Sequence, residues 1–263
     1  MVVTVIGAGT IGTAVAKSLL KSGHEEISAT RRHIERAKEL EESGVRVTRS
    51  NRKAAKEARI VILCVKPKDI QGVLEEIKDE IKGKLVVSFA AGVHLSFLKA
   101  IAPEAKFVRA MPNIAVLVQE SFTAYCAGSD LTSNERVEAE QLLHILGRVV
   151  QIDEKHMDAV TALSGCSPAY LSVIMGAMVQ GGIEAGLPKD LALAAAAHTM
   201  AGTGKLALEA AKEPSEIIGM VATPGGVTED GLQELEKYFV TEAIVSAVKA
   251  GASKSKRISQ SFS

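Results

Sequence analysis

The chain has no excess of charge of either sign: lysine plus arginine and aspartate plus glutamate both number 31. Such a balance creates no overall field to draw the chain onto nucleic acid or an anionic membrane. Small molecules are therefore the expected partners, with no nucleic acid and no membrane among them. Cysteine is scarce. Cys64, Cys126 and Cys166 are odd in number and form no CxxC pair, which argues against a disulfide framework and a structural zinc site and points to a reducing compartment. The six histidines lack metal-ligand spacing, so no metal is expected, and His94 and His156 read as ordinary surface or turn residues. Long apolar runs are missing too. The most apolar later segment, 187–204, is interrupted by Pro188, Lys189, Asp190 and His198. It falls short of the roughly 20 clean residues of a membrane span and reads as a core helix. The sequence opens directly into Val2-Val3-Thr4-Val5-Ile6, with no basic stretch, apolar run and cleavage site. No secretion signal is read, and the cytoplasm is the expected location.

What is present is the composition of a soluble globular protein, 47% hydrophobic and 24% charged. A length of 263 residues suits two domains of roughly 100–150 residues each. Through the first half, short apolar runs at 2–6, 27–30, 59–65, 85–89, 107–110, 123–127 and 149–152 alternate with helical stretches. Those stretches lie at 12–21, 34–42, 70–81, 96–100 and 133–146. Buried strands joined by crossover helices predict a doubly wound, mostly parallel sheet, an α/β domain over 1–154. After Asp153 the texture turns to Ala, Gly, Leu and Met at helical spacing, predicting an all-α domain over 155–263. Gly176, Ala177, Gly181, Gly182, Ala185 and Gly186 would let helices approach closely, within or between subunits. The tail 252–263, rich in Ser and Lys, is expected to be frayed or peripheral.

Gly7-Ala8-Gly9-Thr10-Ile11-Gly12 follows the first expected strand and opens the first helix, the setting that makes a GxGxxG pattern informative. Gly7 permits the tight turn, Gly9 lets the backbone approach a pyrophosphate, and Gly12 allows the helix to pack on the strand. The helix N-terminus favours the anion. An acidic residue about 20 positions further on would mark an NAD site. Instead the second strand ends in Thr30-Arg31-Arg32, whose guanidinium groups and hydroxyl suit a 2′-phosphate, so NADPH is expected, with NADH acceptance left open. A solvated basic turn is the alternative for these arginines. Val65-Lys66-Pro67 and Ala91-Gly92 stand at strand carboxyl ends bordering the same crevice, and Lys66 reads equally as a cofactor neighbour or a solvent-facing lysine.

Three later segments carry a specific resemblance. They are Arg109-Ala110-Met111-Pro112-Asn113; the stretch Asp158 to Tyr170 with Gly186-Leu187-Pro188; and Thr223-Pro224-Gly225-Gly226-Val227-Thr228 followed by Gly231-Leu232 and Leu235-Glu236. In this order behind a dinucleotide loop, they are similar to pyrroline-5-carboxylate reductases along nearly the whole chain. The resemblance implies an N-terminal Rossmann domain followed by an all-α C-terminal dimerisation domain, and hence a homodimer or higher homo-oligomer. It implies NADPH-dependent hydride transfer to the C=N bond of a cyclic imine carboxylate, giving proline. Thr223, Gly225, Gly226, Val227 and Thr228 would hold the substrate carboxylate, with Thr228 near the ring nitrogen as the catalytic hydroxyl. A simple N-cap is the bland role for Thr228. Asn51 would contact the adenosine ribose, or serve as a turn residue. Met111 and Pro112 would border the nicotinamide, or Met111 would only fill the core.

The chain also departs from the family. Ser167 stands where a glycine precedes the proline, and a pre-proline residue is expected to be extended. Cys166 reads as a buried small residue, not a nucleophile. Ala115 replaces a proline, which is expected to loosen one turn. Glu229 and Asp230 are expected to face solvent, since pointing inward they would repel a substrate carboxylate. Rival readings are a reductase of a six-membered imine such as a piperideine carboxylate and a non-catalytic NADP sensor. A β-hydroxyacid dehydrogenase is disfavoured because Lys205 is followed four residues later by Glu209, not Asn.

Overall fold

The structure of the chain, a computed structural model, describes residues 2–262. Its first half is built on strands β1 (Val3–Ile6), β2 (Ile27–Thr30), β3 (Arg46–Thr48), β4 (Ile60–Leu63) and β5 (Leu85–Ser88). They are followed by β6 (Lys106–Met111), β7 (Ser121–Ala127) and β8 (Gly147–Gln151). Helices α1 (Thr10–Lys21), α2 (Lys38–Glu42), α3 (Asn51–Glu57), α4 (Ile70–Ile77), α5 (Leu95–Ile101) and α6 (Ser133–His144) connect them. The strands form one sheet in the order β3-β2-β1-β4-β5-β6-β7-β8, parallel throughout except where β7 runs antiparallel to β6.

Because successive strand side chains point to opposite faces, each buried strand feeds two cores. Val3 and Val5 pack with Val15 and Leu19 of α1 and with Leu142 and Leu143 of α6. Ile6, Val61 and Leu63 face the other way, onto Ile70, Leu74 and Ile77 of α4. Between Val3 and Val5, Thr4 is fully buried and shares its hydroxyl with Ser28 Oγ at 2.6 Å while donating to the Ala54 carbonyl at 3.1 Å. The hydroxyl is thus satisfied where an unpaired one would be costly. α6 begins with a reciprocal cap between Thr132 and Glu135.

The expected single helix over 34–42 is divided into a 3-10 turn, Ile34–Arg36, and the short α2. β3 and α3 were not anticipated. β3 is a three-residue edge strand with an exposed Arg46, so it lacks the apolar run by which its neighbours are recognised.

The chain divides into two compact units, residues 2–166 with 250–262, and residues 167–249. The boundary expected at 154 lies inside the first unit. There a 3-10 turn (Glu154–His156), α7 (Met157–Val160) and a π-helical turn (Thr161–Cys166) continue the chain, and Met157 is buried with Met111, Ala124 and Cys126. Ser167 is helical, not extended, and opens α8 (Ser167–Glu184). The wide turn ahead of it removes the contact between a helical proline ring and the carbonyl four residues back. The expected loosening at Ala115 is likewise reversed: its N–H donates to Asn113 Oδ1 at 3.0 Å, a bond that proline cannot make.

The tail is not frayed. α12 (Val240–Ser259) ends in the first unit, where Ser255 and Ser259 each donate to Asp158 Oδ1 at 2.7 Å and Phe262 meets Phe97 edge-on at 5.2 Å. These contacts give the Ser- and Lys-rich segment a buried face that its composition conceals.

The second unit is helical, as its texture predicts. α8 and α9 (Lys189–Glu209) form a hairpin through Gly186, whose φ is +99°, and Pro188. A Cβ on Gly182 would lie 3.2 Å from that of Ala192, so the small residue does set the helix spacing there. α10 (Pro214–Val221) and α11 (Val227–Lys237) follow. α8 buries none of its residues, and Val173 is 74% exposed. The helical run Glu154–Glu184 is long and apolar enough to cross a membrane, a property absent from the expectations, which singled out 187–204.

Candidate active site

The turn from β1 into α1 shows why two of its glycines are obligatory. Gly7 has φ of +98°, and a Cβ there would lie 2.8 Å from Val65 Cγ1. A Cβ on Gly12 would lie 2.2 Å from the Gly7 carbonyl oxygen. Gly9, the N-cap of α1, is different: its φ is −78° and a Cβ would meet nothing within 4 Å. The fold therefore requires Gly7 and Gly12, whereas Gly9 keeps a space clear. Thr10 is exposed at the start of the helix and Gly12 is buried.

The space belongs to a cleft of about 430 Å³ outside the carboxyl ends of β1, β2 and β4, at the reversal of strand order where open α/β sheets bind ligands. Gly7, Ala8, Gly9, Arg31, Arg32, Asn51, Val65 and Lys66 line it, bringing together residues far apart in sequence. Arg49, Thr30, His33 and Asp69 also line it. Arg49 escaped notice because it follows the unanticipated β3; the alternation of Val45 and Val47 was the available signal. Arg32 approaches Asp69 at 3.8 Å and Arg49 approaches Glu35 at 4.0 Å, long contacts that leave guanidinium donors for another anion. Asn51 donates from Nδ2 to Glu76 at 2.8 Å and opens α3, while Ser50 caps that helix. A void at Gly9 and three guanidinium groups in one cleft fit a 2′-phosphorylated dinucleotide.

A second cleft of about 230 Å³ is lined by Ile11, Val65, Lys66, Pro67, Ala91, Met111 and Pro112, together with Cys64 and Phe89, which sequence reasoning passed over. Its apolar walls suit a flat ring. Burial pushes the Cys64 thiol far above its usual range, so it contributes bulk and not a thiolate. Gly92 does not line either cleft. It is buried under α12, and a Cβ there would lie 2.8 Å from Ile258 Cγ2, so its glycine serves the docking of that helix.

Arg109 is the largest fully buried side chain of the first unit. Its Nη1 donates to Glu154 Oε1 at 2.9 Å and lies 3.2 Å from His94 Nδ1; the same Glu154 oxygen accepts from the Leu95 N–H at 2.9 Å. His94 thus stands, partly exposed, beside the ion pair of the buried Arg109 with Glu154 and is not an ordinary turn residue. Two residues beyond β6, Asn113 donates to the Ser164 carbonyl and hydroxyl, both at 3.3 Å, tying the strand end to the π-helical turn. Cys166 in that turn is half-buried rather than enclosed. Among the described residues no cluster of three or more potential metal ligands occurs.

In the second unit, Thr223 to Gly226 form a turn ahead of α11. The Gly226 N–H donates to the Thr223 carbonyl at 2.9 Å, and a Cβ on Gly226 would lie 2.5 Å from Thr223 Oγ1. α11 starts two residues earlier than expected, with Gly226 as N-cap, so Thr228 is not the cap but sits in the first turn. Its N–H and that of Val227 have no partner within the helix, as first-turn donors do not. Asp230 faces solvent as expected, whereas Glu229, though exposed, folds back to accept from the Gly225 N–H at 2.7 Å.

The glycine turn, the switch-point cleft and its arginines define an NADP-dependent oxidoreductase of the Rossmann class. Residues 154–258 match the family described as pyrroline-5-carboxylate reductase dimerisation, and residues 2–92 match the family described as NADP oxidoreductase coenzyme F420-dependent. The pyrroline-5-carboxylate reductase of Methanosarcina acetivorans is 37% identical over 96% of both chains, and that of Arabidopsis thaliana is 34% identical over 97% of this chain and 95% of that one. The crystal structure of a Plasmodium falciparum pyrroline carboxylate reductase with NADP bound is similar at a TM-score of 0.89 and 26% identity, covering 98% of this chain and 97% of that one. The chain belongs to the pyrroline-5-carboxylate reductase family.

Proposed function

We propose that the chain reduces the C=N bond of 1-pyrroline-5-carboxylate with NADPH to give L-proline. The observation that carries this reading is the near full-length similarity to reductases of that substrate, in a chain that has the arginine-lined cleft and the Thr223–Thr228 turn. Bound NADPH supplies a hydride to the imine carbon. The residues of the chain position the reactants. Gly7, Ala8 and Gly9 shape the turn, their N–H groups being spent on Thr30 and Gly7, so the first-turn N–H groups of Thr10, Ile11 and Gly12 meet the pyrophosphate in the space that Gly9 leaves clear. Arg31, Arg32 and Arg49 hold the 2′-phosphate, and Asn51 turns from Glu76 to the ribose. Ile11, Val65, Pro67, Ala91, Met111 and Pro112 confine the nicotinamide.

The N–H groups of Gly225, Val227 and Thr228, with the Thr223 hydroxyl, attract the substrate carboxylate to the positive end of α11. The Thr228 hydroxyl stands by the ring nitrogen. An imine that already carries its proton needs orientation more than a strong acid, so a site of threonines and backbone donors suffices. The exposed apolar surface of the second unit, with Leu171, Val173, Met178 and Leu191, is covered by a second copy of the chain. That face includes part of the helical run apolar enough for a membrane, and the homo-oligomer works in the cytoplasm.

The test follows NADPH absorbance with purified protein, pyrroline-5-carboxylate and its six-membered homologue, repeated with NADH and with Arg49→Ala. Faster turnover of the five-membered ring is expected, as is a KM for NADPH raised about tenfold in the variant with that for NADH little changed. No turnover of either ring despite NADPH binding would overturn the assignment and leave a sensor.

A further inference from the structure

We infer that Glu229 is a specificity-determining residue: its carboxylate is a built-in competitor that occupies the place of the substrate carboxylate and must be displaced by it. The inference rests on the reading of Thr223–Thr228 as the substrate turn.

Three donors lie unused by the turn itself, namely the N–H groups of Gly225, Val227 and Thr228. Gly226 is not among them, because its N–H is spent on the Thr223 carbonyl at 2.9 Å. Glu229 Oε2 accepts from Gly225 at 2.7 Å, a short, charge-assisted bond. Glu229 is the third residue of α11, and a capping glutamate there would ordinarily reach the N-cap N–H, here that of Gly226. It reaches one residue further out, across the mouth of the turn. A negative group in this place is favoured by the helix N-terminus for the same reason that a substrate carboxylate would be. Two carboxylates a few ångströms apart repel, so the two cannot share the donors. Asp230, adjacent in sequence and equally exposed, makes no such bond among the described residues, so it supplies charge without occupancy.

The consequence is a reduced advantage for substrates that carry a carboxylate. A ring with its carboxylate must first expel Glu229, whereas 1-pyrroline, which has none, need not.

The experiment measures KM and kcat for pyrroline-5-carboxylate and for 1-pyrroline, with saturating NADPH, in the wild type, Glu229→Ala, Glu229→Gln and Asp230→Asn. Glu229→Ala is expected to lower KM for the carboxylate substrate about tenfold, the worth of one exposed charge-assisted bond, with kcat moving less than KM. KM for 1-pyrroline should stay within about twofold. Glu229→Gln, which keeps the shape and loses the charge, should fall between. Raising ionic strength should lower the wild-type KM for the carboxylate substrate and leave that of Glu229→Ala flat or higher. Equal effects of Asp230→Asn and Glu229→Gln would overturn the proposal in favour of a general field, as would a parallel change for both substrates. Turnover by the wild type with KM unmoved in Glu229→Ala would sink the proposal and spare the reductase reading. Absence of turnover in every protein, with NADPH bound, would sink both.

Discussion

Alanine at Gly9 and alanine at Gly12 should fail in opposite ways, though the residues stand three apart in one motif. At Gly9 the backbone is in a region open to any residue, and the added methyl meets no atom within 4 Å. Folding should therefore be unharmed, and the narrower unfolded ensemble gains about 0.4–1 kcal/mol. The methyl would, however, fill the space into which a pyrophosphate presses. Losing one charge-assisted backbone bond at about 1.5–3 kcal/mol weakens NADPH binding by roughly 10- to 150-fold. At Gly12 the methyl would lie 2.2 Å from the Gly7 carbonyl oxygen and 3.2 Å from Cys64 Cβ. The helix must move off the strand, at the upper end of the roughly 1–3 kcal/mol that overpacking costs. Thermal unfolding and a fluorescence titration with NADPH separate the cases. Gly9→Ala should keep its Tm and lose affinity, whereas Gly12→Ala should lose several degrees of Tm. A Gly9→Ala protein that melts early yet binds NADPH normally would refute the reasoning, as would a Gly12→Ala protein of wild-type stability.

Glu154→Gln should cost about 3 kcal/mol, the low end for breaking a buried pair since Glu154 is partly exposed, and calorimetry should show Tm lower by about 6–12 °C. Replacing both partners, Arg109→Met with Glu154→Gln, should recover part of that loss, because no unpaired cation is left inside. Burial, reinforced by the charge of Glu154, pushes the Cys126 thiol up to about 12. An unfolded thiol titrates near ~8.5, so above that pH the unfolded state holds fewer protons than the native one and stability falls as pH rises towards about 12. Denaturant melts between pH 8 and 11 should show this slope, and Cys126→Ala should remove its share and leave that of Cys64.

The local grammar of this chain was legible because it depends on neighbours in sequence. Apolar runs of four residues buried on both faces, a glycine turn between strand and helix, and arginines at the second strand's end each identify themselves over a few positions. The Thr223–Thr228 segment was noticed through its likeness to a family, which implies a role for it but not its hydrogen bonds. β3 stayed hidden, and Arg49 with it, because a three-residue edge strand with polar residues offers only the alternation of Val45 and Val47, too short to set it apart from a loop. Gly92 reads as a cofactor contact in the sequence because a glycine at a strand's carboxyl end looks the same whether a ligand or a helix presses on it. The structure shows that α12 presses on it.

Long-range contacts fixed what remained. The serines of the tail look like a solvated end until Asp158, some hundred residues away, accepts from two of them. Arg109 carries no sign in its own segment that it is sealed inside against the partly exposed Glu154 and His94. Glu229 turns back on Gly225 because α11 begins two residues earlier than its composition suggests, which brings the carboxylate within reach of the loop's donors. Sequence patterns determine which elements form and what chemistry they carry, since those depend on short-range sterics and polarity. Which buried charge meets which partner is set by packing between distant elements, and that is a property of the folded chain alone.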